Sequence, residues 1–428
     1  MSISAVKFLR RQLWHRVPRS TREAILFRAA VRFAPRITPL ALAKEPIIVV
    51  GMLRTATGLG AAARACHDAL KGAGFRVYGV DLTSLSAHDA VLSEFTFDDG
   101  RDVLGAGTVL LHVGGSLVPI AMSLLGAQFV RSKRIIAHWF WELPRVPDEW
   151  RLVVPFVHEI FVNTRFIAEA VRPVARGRAV HVVPYPLPAI QTTKRVVAVR
   201  RPFSVLVVFN VTSNFARKNP CAAILAFRRA FGDDPSARLI VKYANTFSWP
   251  QSKRLLERAA EGAGNIELVD AVMDEVAMAQ LYDRADAVLS LHRSEGLGLV
   301  VIEAMQRGLP VIATDWSGTR DFLDSRSGIP IGYRLVPVED PQGNYRDKKV
   351  MWAEPNVENA VAALRVLRAD PALRAELGEA GAIHVREAFH PARFAKHVGS
   401  LLGSHRGPDV EHNVLAQAGP WPGSRKHQ

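Results

Sequence analysis

The feature that most constrains this chain is a rhythm. From residue 46 onward, short β-branched runs alternate with helix-length segments, and the pattern occurs twice. "PIIVVG" (46–51), "FRVYGV" (75–80), "TVLLHV" (108–113), "RIIAHWF" (134–140), "EIFV" (159–162) and "AVHVVPY" (179–185) make a first series. "SVLVVFN" (204–210), "RLIVKY" (238–243), "NIELV" (265–269), "DAVLSL" (286–291) and "PVIAT" (310–314) make a second. Strands joined by helical crossovers form parallel sheets. The proline-bounded "PYPLPAIQTTKRVVAVRRP" (184–202) has no helical period and reads as a linker. Two doubly wound α/β domains in tandem are therefore expected, and 428 residues with 49% apolar content suffice for two cores.

Residues 103–130 contain no Lys, Arg, Asp or Glu and are long enough to span a bilayer. The punctuation argues for strand, loop and helix instead: "GGS" interrupts the apolar run, and Pro119 stands where a helix would start. The net charge is +15, of which residues 1–40 supply +8 through nine Lys/Arg against Glu23 alone. "ISAVKFLRRQLWHRV" places Ile3, Val6, Leu9, Leu13, Trp14 and Val17 along one helical face, with Arg10 intruding, and "STRE" (20–23) has the form of a capping box. A packed accessory helix and a peripheral contact with an anionic leaflet both suit this segment. Because the excess charge is concentrated at one end rather than in a fold-embedded patch, a nucleic-acid partner is not expected. No secretory signal is visible, and Cys66 and Cys221 form no CxxC or metal-ligand spacing, so a cytoplasmic protein with reduced thiols is expected, with the inner membrane face as a candidate site of attachment.

"HRSEGLGLVVIEAMQRGLPVIAT" (292–314) joins a strand to a helix through a glycine loop and places Glu295 and Glu303 on either side of it. Such a loop aims unpaired helix N–H groups out of the carboxyl edge of the sheet, where an anion is stabilised. Carboxylates repel phosphate, so the two acids suit hydroxyl groups on the same ligand. A nucleotide diphosphate sugar has that layout. From spacing alone the same acids also suit a solvated helix residue and a capping charge.

"SLHRSEGLGLVVIEAMQRGLPVIATDWSGTRDFL" resembles the donor-binding signature of the family 4 retaining glycosyltransferases. The resemblance covers most of residues 46–402, is strongest over 204–355, including "YRLVPVEDPQGNY" and "WAEP", and is absent from the first 40 residues. It implies that Glu295 lies near the donor sugar, that Gly296, Leu297, Gly298 and Leu299 present backbone to the diphosphate, and that Glu303 holds the ribose. Thr319 replaces the amide of the usual Ser-Gly-Asn form, which bears on sugar choice.

Upstream, "VVFNVTSNFARKNPCAAILAFRRAF" offers Asn219 as an N-cap, Pro220 at the first helical position, and Arg217 and Lys218 just before them. Two cations there suit a leaving diphosphate, as well as a solvated turn. The segment resembles the family's RKNP element, with Ser213 where many members carry a further Arg. Lys242 is a candidate third cation. In "VVGMLRTATGLGAAARACHDALKGAGF", Gly58 and Gly60 open a helix, a pattern shared with dinucleotide-binding enzymes in which Asp81 would serve the ribose. In the glycosyltransferase reading, Gly60 covers the diphosphate from across the cleft. "IIAHWFWELPRVPDEW" resembles the WELP element of a polysaccharide-assembly subgroup, making His138 and Glu142 candidates on the acceptor side; Trp139, Trp141 and His138 also suit a plain core.

These resemblances imply the GT-B arrangement: an acceptor-side Rossmann-like domain at 41–190, a donor-side domain at 191–380, and crossover helices at 381–402 returning to the first domain; composition adds a basic extension at 1–40 and a disordered tail at 403–428. The implied reaction moves a hexose from a nucleotide sugar to an oligosaccharide or lipid-linked acceptor with retention. No metal or other cofactor is expected, since Arg217, Lys218 and helix N-termini replace one. A dinucleotide-dependent oxidoreductase and a non-catalytic sugar-nucleotide sensor are the alternatives. The first leaves the paired glutamates without a role, and the second differs only in lacking turnover.

Overall fold

The computed structural model describes residues 19–39, 41–55, 57–85, 95–190, 202–345, 347 and 349–403. The amphipathic stretch at 3–17, most of the linker and the tail beyond 403 lie outside the described residues.

Every strand expected from the sequence forms. The first sheet comprises β1 (Ile47–Gly51), β2 (Val77–Asp81), β3 (Gly107–His112), β4 (Lys133–His138), β5 (Glu159–Val162) and β6 (Val180–Val182), all parallel, in the order β2-β1-β3-β4-β5-β6. The second comprises β7 (Phe203–Val208), β8 (Ala237–Tyr243), β9 (Ile266–Asp270), β10 (Ala287–Ser290), β11 (Val311–Thr314) and β12 (Ile329–Ile331), in the order β12-β11-β10-β7-β8-β9. An antiparallel hairpin of β13 (Tyr333–Pro337) and β14 (Met351–Pro355) follows. Strands β1 and β3 are buried at every position, as expected for parallel strands covered on both faces by crossover helices.

The helices are α1 (Arg19–Phe33), α2 (Gly58–Gly72), α3 (Val118–Val130), α4 (Arg165–Val171), α5 (Phe215–Lys218), α6 (Pro220–Phe231), α7 (Gln251–Ala260), α8 (Glu275–Asp283), α9 (Leu299–Gln306), α10 (Val357–Ala369), α11 (Pro371–Ala388) and α12 (Pro391–Leu401). Helix α3 begins beside Pro119, and among the described residues no helix is long and apolar enough to cross a membrane. Helix α1 leans on the first core through Phe27 and Val31, while Ile25, Leu26 and Phe33 remain exposed. At the other end, α12 inserts Phe394, Ala395 and Val398 among Ile47, Val49 and Leu110 of the first sheet, so the chain ends by packing against the domain with which it began.

Each sheet has one place where successive crossovers leave in opposite directions. It falls between β1 and β3 in the first sheet and between β7 and β10 in the second. Open α/β sheets bind ligands in the crevice at such a switch point, outside the carboxyl ends of the strands.

Candidate active site

At the second switch point lies a small pocket open to solvent, lined by Val208 and Phe209 from the end of β7, Leu291 from beyond β10, Lys218, Glu295 and Gly298. Gly298 sits at the start of α9 with φ +87°, a conformation that L side chains rarely adopt, and an added Cβ would come within 2.7 Å of the Thr319 methyl. The first turn of α9 lines the pocket through Gly298, Val300 and Val301.

Lys218, Glu295 and Arg217 form a charged triad. Glu295 is buried; its Oε1 accepts from Lys218 Nζ at 2.5 Å and its Oε2 lies 3.0 Å from Arg217 Nη1. Burial alone would push the Glu295 carboxyl up, but Lys218 and Arg217, with His292 behind them, outweigh it and hold the carboxyl at about 2. Burial pushes the Lys218 ammonium below its ordinary value despite Glu295. The Glu142 carboxylate is close enough to bias both cations, so the WELP element brings a second acid toward the triad from the other domain.

The two cations differ in a way their adjacency in sequence concealed. Lys218 lines the pocket. Arg217 is 3% exposed, donating to Ser294 O at 2.8 Å and to Ser213 O at 2.7 Å. It holds the glutamate and the glycine loop and does not face open space. Both belong to α5, a single turn capped by the Asn214 side chain, which accepts from Arg217 N. As expected, Asn219 stands at the N-cap of α6 with Pro220 opening the helix, but Asn219 is left-handed, at φ +53°, and makes no side-chain cap bond.

Glu303 lies one turn into α9 and accepts from the Tyr282 hydroxyl at 3.0 Å. Burial raises its carboxyl above the ordinary range, against the pull of Tyr282, Arg307 and Lys242. Lys242 thus joins the neighbourhood of Glu303, not that of the triad. Gly296 serves close approach: a Cβ there would meet Trp141 O at 2.4 Å, and its carbonyl accepts from Thr164 Oγ1 at 2.8 Å. Ser294 Oγ donates to Glu142 O, and Arg165 N to Asp321 Oδ2 at 2.7 Å. The loop bearing Glu295 is thereby gripped by both domains. Leu297 is buried in the adjoining core and Leu299 packs against it. Thr319 is buried, with Oγ1 donating to Trp316 O at 3.1 Å, so it braces the loop from behind.

In the first domain the glycine loop faces this site through Gly58, whose added Cβ would touch Leu299 at 3.5 Å. Gly60 has a different task. Its N–H is taken by the Thr57 cap, and an added Cβ would lie 2.5–2.7 Å from Thr55 and the Met52 carbonyl. His138 is also corrected. Alternation along β4 sends it, with Ile136, to the face covered by α2 and α12, where it is 1% exposed and stacks on Phe140 and Phe394. It does not reach an acceptor. Trp141 instead meets Tyr345 edge-on, at 6.0 Å between ring centres, and Leu143 packs with Val338, Val350 and Trp352 around the hairpin. That hairpin contact was missed from sequence, because residues 338–350 have no regular period.

Residues 222–346 match the family described as Glycosyl transferases group 1. Over 145 residues the chain is 30% identical to a D-inositol 3-phosphate glycosyltransferase of Arthrobacter sp. (strain FB24), covering 31% of this chain and 28% of that relative. Among solved structures, HepE of Anabaena in complex with UDP superposes with a TM-score of 0.59 at 14% identity, over 84% of this chain and 100% of HepE. Sucrose-phosphate synthase of Thermosynechococcus elongatus gives 0.58 at 16% identity, over 83% and 98%. A variant of S. aureus TarM, in complex with Fondaparinux, alpha-GlcNAc-glycerol and UDP, gives 0.51 at 13% identity, over 70% of this chain and 55% of TarM. The chain thus spans about a quarter of the curated relative and about half of TarM. It has the GT-B fold, and over residues 222–346 it resembles the Glycosyl transferases group 1 family.

Proposed function

We propose that this chain is a glycosyltransferase that moves a sugar from a nucleotide diphosphate donor to an acceptor hydroxyl, with retention at the anomeric carbon. The observation that carries the reading is the Lys218–Glu295–Arg217 triad beside a helix N-terminus, in a pocket at the second switch point. The diphosphate would take the Gly298 end of α9 and draw Lys218 from Glu295, neutralising the charge that grows as the glycosyl bond breaks. Arg217 would keep Glu295 ionised and in place next to the sugar. Glu303, with Tyr282, would accept from the ribose hydroxyls.

No metal is assigned to this step, because the cationic side chain and helix donors meet the diphosphate. The acceptor is an oligosaccharide or lipid-linked glycan, entering from the side of Glu142 and the WELP element, and the product belongs to surface polysaccharide or glycolipid. Residues 1–40 would attach the enzyme to the inner face of an anionic membrane. HepE and TarM, whose solved complexes hold UDP, support the donor class.

Purified protein titrated with a panel of nucleotide sugars should bind one with micromolar affinity and release the nucleoside diphosphate when a glycan acceptor is added. Proton NMR of the product should show the donor's anomeric configuration. Binding without turnover across acceptors would favour a sensor; binding of a nicotinamide dinucleotide in place of nucleotide sugars would replace the reading altogether. Sedimentation of the full chain with phosphatidylserine vesicles but not with neutral ones tests membrane attachment.

A further inference from the structure

The switch point of the first sheet is occupied by side chains that the reaction above does not use. Cys66 from α2, His112 at the end of β3 and His138 at the end of β4 are each about 1% exposed or less, and their ligand atoms lie within 4.8 Å of one another. Rings of Phe140, Phe161 and Phe394 surround His138. Among the described residues, His112 Nδ1, His112 Nε2 and His138 Nδ1 have no hydrogen-bond partner. Burying an unpaired polar atom is costly, and nothing in the apolar surroundings offsets three of them in one place.

The surrounding bonds fix which lone pair is offered. Asn163 Nδ2 donates to Val183 O at 3.2 Å, which turns Asn163 Oδ1 toward His138 Nε2 at 3.1 Å. Nε2 must then carry the proton, and Nδ1 is left as a buried lone pair without a partner. An outer hydrogen bond that selects the tautomer and aims the other nitrogen is the usual companion of a metal-binding histidine. Gly51 makes the room: a Cβ there would lie 3.1 Å from His112 Cβ and 3.2 Å from Ala63 Cβ.

We infer that Cys66, His112 and His138 bind a thiophilic d10 cation, Cu⁺ or Zn²⁺, through Sγ, one His112 nitrogen and His138 Nδ1. Metal–sulfur and metal–nitrogen bonds near 2.3 and 2.0 Å set ligand atoms about 3.5 Å apart, so the separations, at most 4.8 Å, close by no more than about 1.3 Å. Binding releases one proton, from the Cys66 thiol, and the sulfur's electron pair forms the new bond. With Cu⁺ the thiolate leaves the site neutral at three ligands, which suits a crevice closed by rings. Zn²⁺ leaves one positive charge and takes a water as fourth ligand. The metal would tie α2, whose first turn carries Gly58 toward the donor loop, to the strands beneath it.

The test uses the full chain produced without a histidine tag. Metal analysis after reconstitution with Zn²⁺ or, under reductant and argon, Cu⁺ should give about one equivalent of whichever ion fits. X-ray absorption of the loaded wild type should show one sulfur and two imidazoles; a shell of nitrogen and oxygen alone would overturn the assignment, as would failure of both ions to bind. Cys66→Ser should abolish binding, and undiminished binding in that variant means a surface site and ends the proposal. Asn163→Ala keeps all three ligands and should weaken affinity about 10- to 100-fold. If Cys66→Ser does not fold, alkylation of the wild type in mild denaturant decides: the ion should protect Cys66 and leave Cys221 reactive, and equal reactivity of the two thiols refutes the site.

Discussion

The two sheets share a topological opportunity and use it in opposite ways. Each has a crevice at the carboxyl ends of its strands. In the second sheet, β7 and β10 end in an open pocket holding a lysine–glutamate–arginine triad. In the first, β3 and β4 end in two buried histidines that meet a cysteine of α2 beside aromatic rings. Backbone topology therefore supplies the cavity, and the side chains that strand ends, loops and helices bring to it decide whether it becomes a site for solvent-borne ligands or is sealed. The difference also lies in charge: the open crevice carries ions paired at 2.5–3.0 Å, whereas the sealed one carries neutral rings.

The comparison breaks most readily at Lys218. Lys218→Met removes the one triad cation that lines the pocket, and kcat should fall about 100- to 1,000-fold. A change under threefold in steady-state turnover would mean that the open crevice is not where the donor's charge is neutralised. Glu295→Gln should lower kcat by about 10- to 100-fold and also alter acid stability. The Glu295 carboxyl is held at about 2, below its ordinary 4.5. Its contribution is thus fully present above about pH 4.5 and is lost as pH falls toward 2. Urea midpoints measured from pH 5 to pH 3 should drop less steeply in the variant than in the wild type.

Glu303→Gln sharpens the contrast within the open site. If it holds the ribose in ground and transition states alike, donor KM should rise several-fold while kcat changes little. A kcat effect equal to that of Glu295→Gln would merge the two acids into one role. Gly298→Ala forces a Cβ onto φ +87° against Thr319, and the melting temperature should fall by several degrees, equivalent to about 1–3 kcal/mol. The smallest expected effect is none: adding Mg²⁺ or Mn²⁺ during turnover should leave activity unchanged, because the open crevice needs no metal for the diphosphate. Turnover that depends on either of these ions would contradict that.

Much of this was legible because parallel strands announce themselves as short apolar runs. Glu295, the glycine loop and α9 were readable as one strand–loop–helix unit. β12 escaped notice because Ile329–Ile331 is three residues with a central proline. Sequence adjacency made Arg217 and Lys218 look equivalent, whereas one turn of helix sends the first inward. His138 looked acceptor-facing because strand ends border the cleft, but alternation along β4 decides which face a residue takes. Cys66 joins the two histidines only because three separate crossover units converge, and no linear spacing encodes that.

The hydrogen bonds from Thr164 to Gly296 and from Ser294 to Glu142 give the floor of the open pocket two owners. Any hinge motion that parts the lobes must break both bonds, while Arg217, Lys218 and the Ser317 hydroxyl, all on the second lobe, still hold Glu295. In the proposed function, an acceptor long enough to touch both lobes would favour the joined arrangement merely by holding them together.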